Sequence, residues 1–375
     1  MRTVAACLVI AALSMTPALA EGSAVAPPAA GDSRAAAIAL YDRGRYPEAH
    51  AALTALDVAE KADGGLLYRL AFCAGVAGDQ EEHARILARA VAALEQETKA
   101  GGPIESWFYL SNAYQNLGRP ADSAKVAADA TSRLEAGTWK EPEGGVDVFR
   151  LAKLYADQGR EDRAEERYRK AVEALTPEAV RYPAYLRWAR GYLGDLALRR
   201  ANWEEAASQF AAVVALPAPM AGEWHKLAVA RARMGRWQEA ADAWHQAEQL
   251  TPGGGDDARY SRQLALQAAQ LGSLPALTPD GRTWDKPSTE DLENMMLEQA
   301  KVALAPPPAA PDVSATPVVT PPENPARLKE AHRIFVAAGI EYAARGLPIR
   351  ETAFSKGFAP LVFHPEQWEP KTTEK

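Results

Sequence analysis

The feature that most constrains this chain is a period. Aligning it on its Gly-Arg-aromatic turns returns a spacing of 34 residues, clearest in Gly235-Arg236-Trp237-Gln238-Glu239-Ala240. Trp224, Leu227 and Ala228 stand upstream of that turn, and Trp244, Ala247 and Pro252 downstream, within a unit from Ala221 to Gly254. Five more units share its offsets. Ala30 to Asp63 carries Gly44, Tyr46, Ala49 and Leu53 and abuts Gly64 to Glu97, with Leu70, Ala71, Gly78, Leu87 and Ala90. Ile104 to Gly137 carries Trp107, Leu110, Tyr114, Gly118 and Ala130, and Gly145 to Glu178 carries Leu151, Ala152, Tyr155, Gly159, Ala164, Tyr168 and Ala171. Arg187 to Met220, with Leu193, Gly194, Ala197, Trp203, Ala206 and Phe210, runs directly into the clearest unit. Small residues at the eighth and twentieth positions let two antiparallel helices approach, and large ones at the fourth, eleventh and twenty-fourth fill the space between them. A glycine near the fifteenth position closes the first helix with a left-handed turn.

Over about Ala30 to Gly272 the chain resembles the tetratricopeptide-repeat family. The resemblance implies an all-α, right-handed solenoid of helical hairpins, about six units plus a capping helix over Arg259 to Leu271, that holds proteins or peptides. The departures are insertions of six to eight residues after the second, third and fourth units, Ala201 at a turn glycine, and Pro120 at an aromatic site.

The N-terminus reads as a secretory signal peptide: Arg2, an apolar run from Val4 to Leu13, and Ala18-Leu19-Ala20 before Glu21. That run is shorter than the ~20 residues a membrane helix needs, so residues 1–20 are expected to be cleaved and the chain to be periplasmic, with no stable membrane insertion. Cys7 lies before the apolar core instead of after it, which argues against a lipoprotein box. Loss of Arg2 takes the net charge from −7 to −8, and an acidic surface without basic runs argues against nucleic acid as a partner. Only Cys73 then remains, on an apolar helix pattern with Leu70, Ala71 and Ala74, so no internal disulfide forms and the thiol reads as a small core side chain.

Residues 21–29 read as a flexible mature N-terminus. After Gly272 the texture changes: residues 273–304 read as a turn-rich segment followed by a helix started by Ser288-Thr289-Glu290-Asp291. Residues 305–325 hold eight prolines in twenty-one positions, an extended linker reaching roughly 60 Å at about 3.1 Å per residue. Residues 326–375 open with a helix (Leu328, Ala331, Phe335, Ala338, Tyr342) stopped by Gly346 and Pro348, and continue into an aromatic tail. In that tail Phe354, Phe358, Phe363 and Trp368 suit a partner-docking element carried by the spacer, or a segment folded back on the solenoid; the length of the spacer favours the partner.

No catalytic constellation emerges. His50, His83, His225, His245, His332 and His364 form no H-x3-H or H-E-x-x-H pair, and neither a G-x-S-x-G elbow nor a phosphate-cradling loop is present. No metal and no cofactor is implied, and Gly253-Gly254-Gly255-Asp256-Asp257 reads as an inter-repeat loop. On the family's frame, the first helix of each hairpin lines a concave groove. The resemblance places there Phe108, Asn112, Gln115, Asn116, Phe149 and Lys153, then Trp188, Asp195, Arg199, His225 and Arg233, with Arg259 and Arg262 from the capping helix. A groove that is aromatic and amide at one end and basic at the other suits an extended peptide with an acidic end. The expectation is a non-enzymatic periplasmic adaptor that assembles a cell-envelope complex for secretion, cell-wall work or energised outer-membrane transport. The alternatives are a periplasmic chaperone for exported chains and an enzyme with a site near His332 or His364.

Overall fold

The computed structural model describes residues 33–59, 62–251, 255–275, 287–304 and 325–369. The signal segment, residues 21–29 and all of the proline-rich linker except Pro325 lie outside the described residues. The chain is an all-α solenoid of helical hairpins, with no strand among the described residues. Each sequence unit supplies one hairpin: α1 (Ser33–Asp42) with α2 (Tyr46–Val58), α3 (Gly64–Val76) with α4 (Gln80–Lys99), and α5 (Ile104–Asn116) with α6 (Pro120–Glu135). There follow α7 (Gly145–Asp157) with α8 (Glu161–Leu175), α9 (Pro183–Arg199) with α10 (Trp203–Val214), and α11 (Ala221–Arg233) with α12 (Trp237–Leu250). Then come α13 (Asp256–Leu271), α14 (Thr289–Leu304), α15 (Pro325–Ala344), α16 (Ile349–Ser355) and α17 (Ala359–Phe363), and a short 3-10 turn, Pro365–Trp368.

The periodic residues do what the spacing predicts. The hairpin turns at Gly118 and Gly235 have φ of +67° and +71°, and Ala201 is forced into the same left-handed region at +55°. Pro120 costs α6 nothing, because it occupies the first turn, where no intrahelical N–H is needed. The Asp63 and Asp79 side chains accept the N–H groups of Leu66 and Glu82 at 2.9 Å, capping α3 and α4. A Cβ on Gly194 would stand 2.8 Å from the Phe210 ring, which is why a hairpin this close needs glycine there. Cys73 is buried and its thiol is pushed up to about 12 by that burial, an inert core side chain.

The chain divides into two compact units, Met1–Leu193 and Gly194–Lys375. In the second, the predicted helix start at Ser288 is a reciprocal cap. Its hydroxyl accepts the Asp291 N–H at 3.0 Å, and the Asp291 carboxylate accepts the Ser288 N–H at 2.7 Å. Pro325 belongs to the first turn of α15 and not to the linker. α13 does not end the core: Leu264 and Ala268 share one apolar cluster with Leu292 and Met296 of α14, Phe335 of α15, Ile349 of α16 and Leu361 of α17. α15 approaches α13 so closely that a Cβ on Gly339 would meet Leu264 at 2.8 Å.

Candidate interaction surfaces

In the first unit the sixth position of three successive repeats carries Arg69, Tyr109 and Arg150, a stripe that sequence reasoning missed. The stripe is interior. Arg69 is 2 % exposed and Arg150 8 %, and both guanidiniums bond Oε1 of Glu105, at 2.5 and 2.6 Å. Arg69 also donates to the Gly65 carbonyl at 3.2 Å, and Arg150 to Asp147 at 2.7 Å. Tyr109 lies under both cations, at 4.8 and 5.7 Å, and stacks on Tyr68 at 4.7 Å. Burial alone would raise the Glu105 carboxyl, but Arg150 and Arg69 outweigh it and hold it below its ordinary value. α1 adds Tyr41 and Asp42. For Asp42 burial wins over Arg69, Arg150 and a hydrogen bond from Tyr185 of α9, so its carboxyl is raised. The face that α1, α3, α5, α7 and α9 turn to one another in this unit is thus filled by their own side chains.

This corrects the aromatic end of the expected groove. Phe108 and Phe149 are buried, 6.0 Å apart edge to face, and Phe149 packs on Tyr185 and Trp188 at 5.3 and 6.1 Å. They are core, and Trp188 is half-buried against them. The amides remain outside: Gln115 and Asn116 are exposed at the end of α5, and Asn112 is half-buried one turn before. Gln115 donates to Ser123 Oγ at 3.0 Å, Asn116 reaches Tyr68 Oη at 3.5 Å, and Lys153 pairs with Asp157.

In the second unit most of the basic positions are taken by the chain itself. Arg233 pairs with Glu341 of α15 and lies over Trp203 at 5.4 Å, and Arg262 meets Glu248 at 3.5 Å. Glu341 is raised by burial, yet Arg233 and Arg345 bring it below its ordinary value. Asp195 pairs with Lys226 at 2.7 Å. His225 is half-buried; burial lowers it, and its Nδ1 accepts the Trp244 indole N–H at 3.1 Å, so that nitrogen is engaged inside its own hairpin. Arg199 is exposed, and so is Arg259, whose guanidinium lies 5.1 Å over the Phe363 ring.

Of the two readings of the aromatic tail, the same unit shows the segment folded back on the chain and not the favoured partner-docking element. Phe358 is fully buried 5.4 Å from Phe335, and Phe363 meets Tyr260 edge to face at 4.7 Å. Trp368 stacks on His332 at 4.8 Å with an interplanar angle of 4°. Gln267 of α13 donates to the carbonyls of Leu361 and Val362 at 3.2 and 2.7 Å, while its own Oε1 accepts His332 Nε2–H at 2.7 Å. Burial lowers His332 to about 4, so it is neutral. Three of the four tail aromatics close the solenoid's end; only Phe354 faces solvent.

No protein-family model and no curated protein matches this chain. Solved structures that resemble it are BtubC from P. vanneervenii (16 % identity, 68 % of this chain and 97 % of that one, TM-score 0.36) and the Cut9–Hcn1 hetero-tetramer of the APC/C (13 %, 82 % and 54 %, TM-score 0.43). Another is TTC0263, a thermophilic TPR protein of Thermus thermophilus (18 %, 54 % and 98 %, TM-score 0.34). The likeness is one of fold.

Proposed function

We propose that this protein is a non-enzymatic, exported adaptor that binds proteins or peptides in the periplasm and helps assemble a cell-envelope complex. The observation that carries the binding role is the rim of the first unit. Gln115 and Asn116 stand exposed, with Asn112 and Lys153 half-buried nearby, on helices whose inner faces are locked by aromatic packing and the Arg69–Glu105–Arg150 bridge. Amides held on a rigid base can pair with the backbone of an extended chain at little ordering cost. The periplasmic placement rests on the signal-like run from Arg2 to Ala20.

A photo-crosslinking residue at Asn116, compared in cells with one at the exposed Glu173 of α8, tests the binding role. A discrete adduct at position 116 and none at 173 is expected. No adduct at 116, or the same adducts at both, refutes it. Fractionation and the mass of the exported chain test the placement: a periplasmic product beginning at Glu21 is expected, and a cytoplasmic, uncleaved one overturns it.

A further inference from the structure

Where α16 and α17 meet the first turn of α13, the second unit has an open cleft of about 600 Å³, bordered by Arg259, Tyr260, Arg350, Phe354, Pro360 and Phe363. Phe354 is 65 % exposed although Phe358, Phe363 and Trp368 of the same cap are buried or half-buried. Hiding a phenylalanine ring from water is stabilising, and the fold forgoes most of that here.

The charges around it are unevenly satisfied. Asp256 pairs with Arg350 at 3.0 Å, and Asp257 accepts the Arg350 backbone N–H at 2.9 Å, so both acids at the start of α13 are occupied. Arg350 lies 5.9 Å from the Phe354 ring, and His364 is joined to Glu366 at 3.0 Å. Arg259 has no carboxylate partner among the described residues; its guanidinium rests on Phe363. The cleft therefore offers apolar ring faces beside Arg259, which has no carboxylate partner among the described residues, while Asp256 and Arg350 pair with each other.

We propose that this cleft docks a segment of a partner protein in which a carboxylate stands within a residue or two of an aromatic side chain. The aromatic side chain covers Phe354 and Pro360, and the carboxylate pairs with Arg259. A charge-assisted bond at a partly desolvated site and one buried ring together give contacts of the kind that anchor small interfaces. The proposal deepens the reading of the protein as a binding module, but it names a site outside the hairpin groove, built by the C-terminal cap.

The test is fluorescence anisotropy on the full mature chain with a labelled peptide, Asp-Glu-Phe-Asp-Glu-Leu, against Lys-Arg-Phe-Lys-Arg-Leu. Saturable binding of the acidic peptide only is expected, weakened at least tenfold by Phe354→Ser and by Arg259→Gln, with Arg259→Lys closer to the parent. Phe354 is exposed, so Phe354→Ser should keep the parental melting temperature, which separates a lost site from a lost fold. The proposal is overturned if the acidic peptide does not saturate, if the basic peptide binds as well, or if Phe354→Ser changes nothing. An adduct at Asn116 combined with any of those outcomes removes this cleft and leaves the adaptor reading standing.

Discussion

Replacing Glu105 with alanine strips the one carboxylate that, among the described residues, hydrogen-bonds both inner arginines of the first unit. The Arg69 and Arg150 side chains are 3 % and 10 % exposed, and both point at one oxygen, at 2.5 and 2.6 Å. Removing one member of a buried ion network leaves the others charged and desolvated, at a cost of ~3–5 kcal/mol. Glu105 itself is 31 % exposed, so water can reach the gap; the lower end, about 3 kcal/mol, is the expected loss. Glu105→Gln keeps the shape and one acceptor and should lose less. The assay is urea unfolding at neutral pH followed by near-ultraviolet circular dichroism, which reports the packed Tyr41, Tyr68, Tyr109 and Tyr185. The triple variant Arg69→Met, Arg150→Met, Glu105→Leu should recover most of the loss, because the cost lies in stranded charge and not in lost volume. A loss below about 1 kcal/mol for Glu105→Ala, or a triple variant as unstable as the single one, would refute the reasoning.

Three other perturbations test separate parts of the account. Asp42 holds its proton more tightly when folded, so its contribution is greatest below the unfolded carboxyl range and falls as pH rises through its folded value; Asp42→Asn should therefore raise the melting temperature at neutral pH and flatten that slope. Ala201→Gly relieves a left-handed φ of +55° and should stabilise by about 0.5–1 kcal/mol in thermal unfolding, whereas a lowered melting temperature would mean that the turn carries no strain. His332 has a folded pKa of about 4 against an ordinary 6.5, so the stability it contributes is complete above 6.5 and is lost as pH falls toward 4. The loss should be on the order of 3 kcal/mol in the unfolding free energy measured by urea titration, and His332→Gln should flatten that dependence.

The sequence by itself determined the hairpins, since a 34-residue spacing of small and large positions sets two close-packed helices in each unit and local chemistry ends each helix. Asp63, Asp79 and Ser288 cap as their neighbours dictate, and Pro120 is accommodated by its place in the first turn. A helical position also names the face a side chain occupies. It does not say what stands opposite, because that depends on how successive hairpins pack on one another. Asp42 of α1 and Tyr185 of α9 are far apart in the chain, yet they meet in one interior, and this is why Phe108 and Phe149 became core and not groove. The stripe at the sixth position was legible as one residue per repeat, but three positions of unlike chemistry carry no periodic hydrophobic signal. The tail was the other limit. Proline spacing describes how far a segment can reach and says nothing of where it lands; only tertiary packing supplied Gln267, His332 and Phe335, which hold the last turns against α13 and α15.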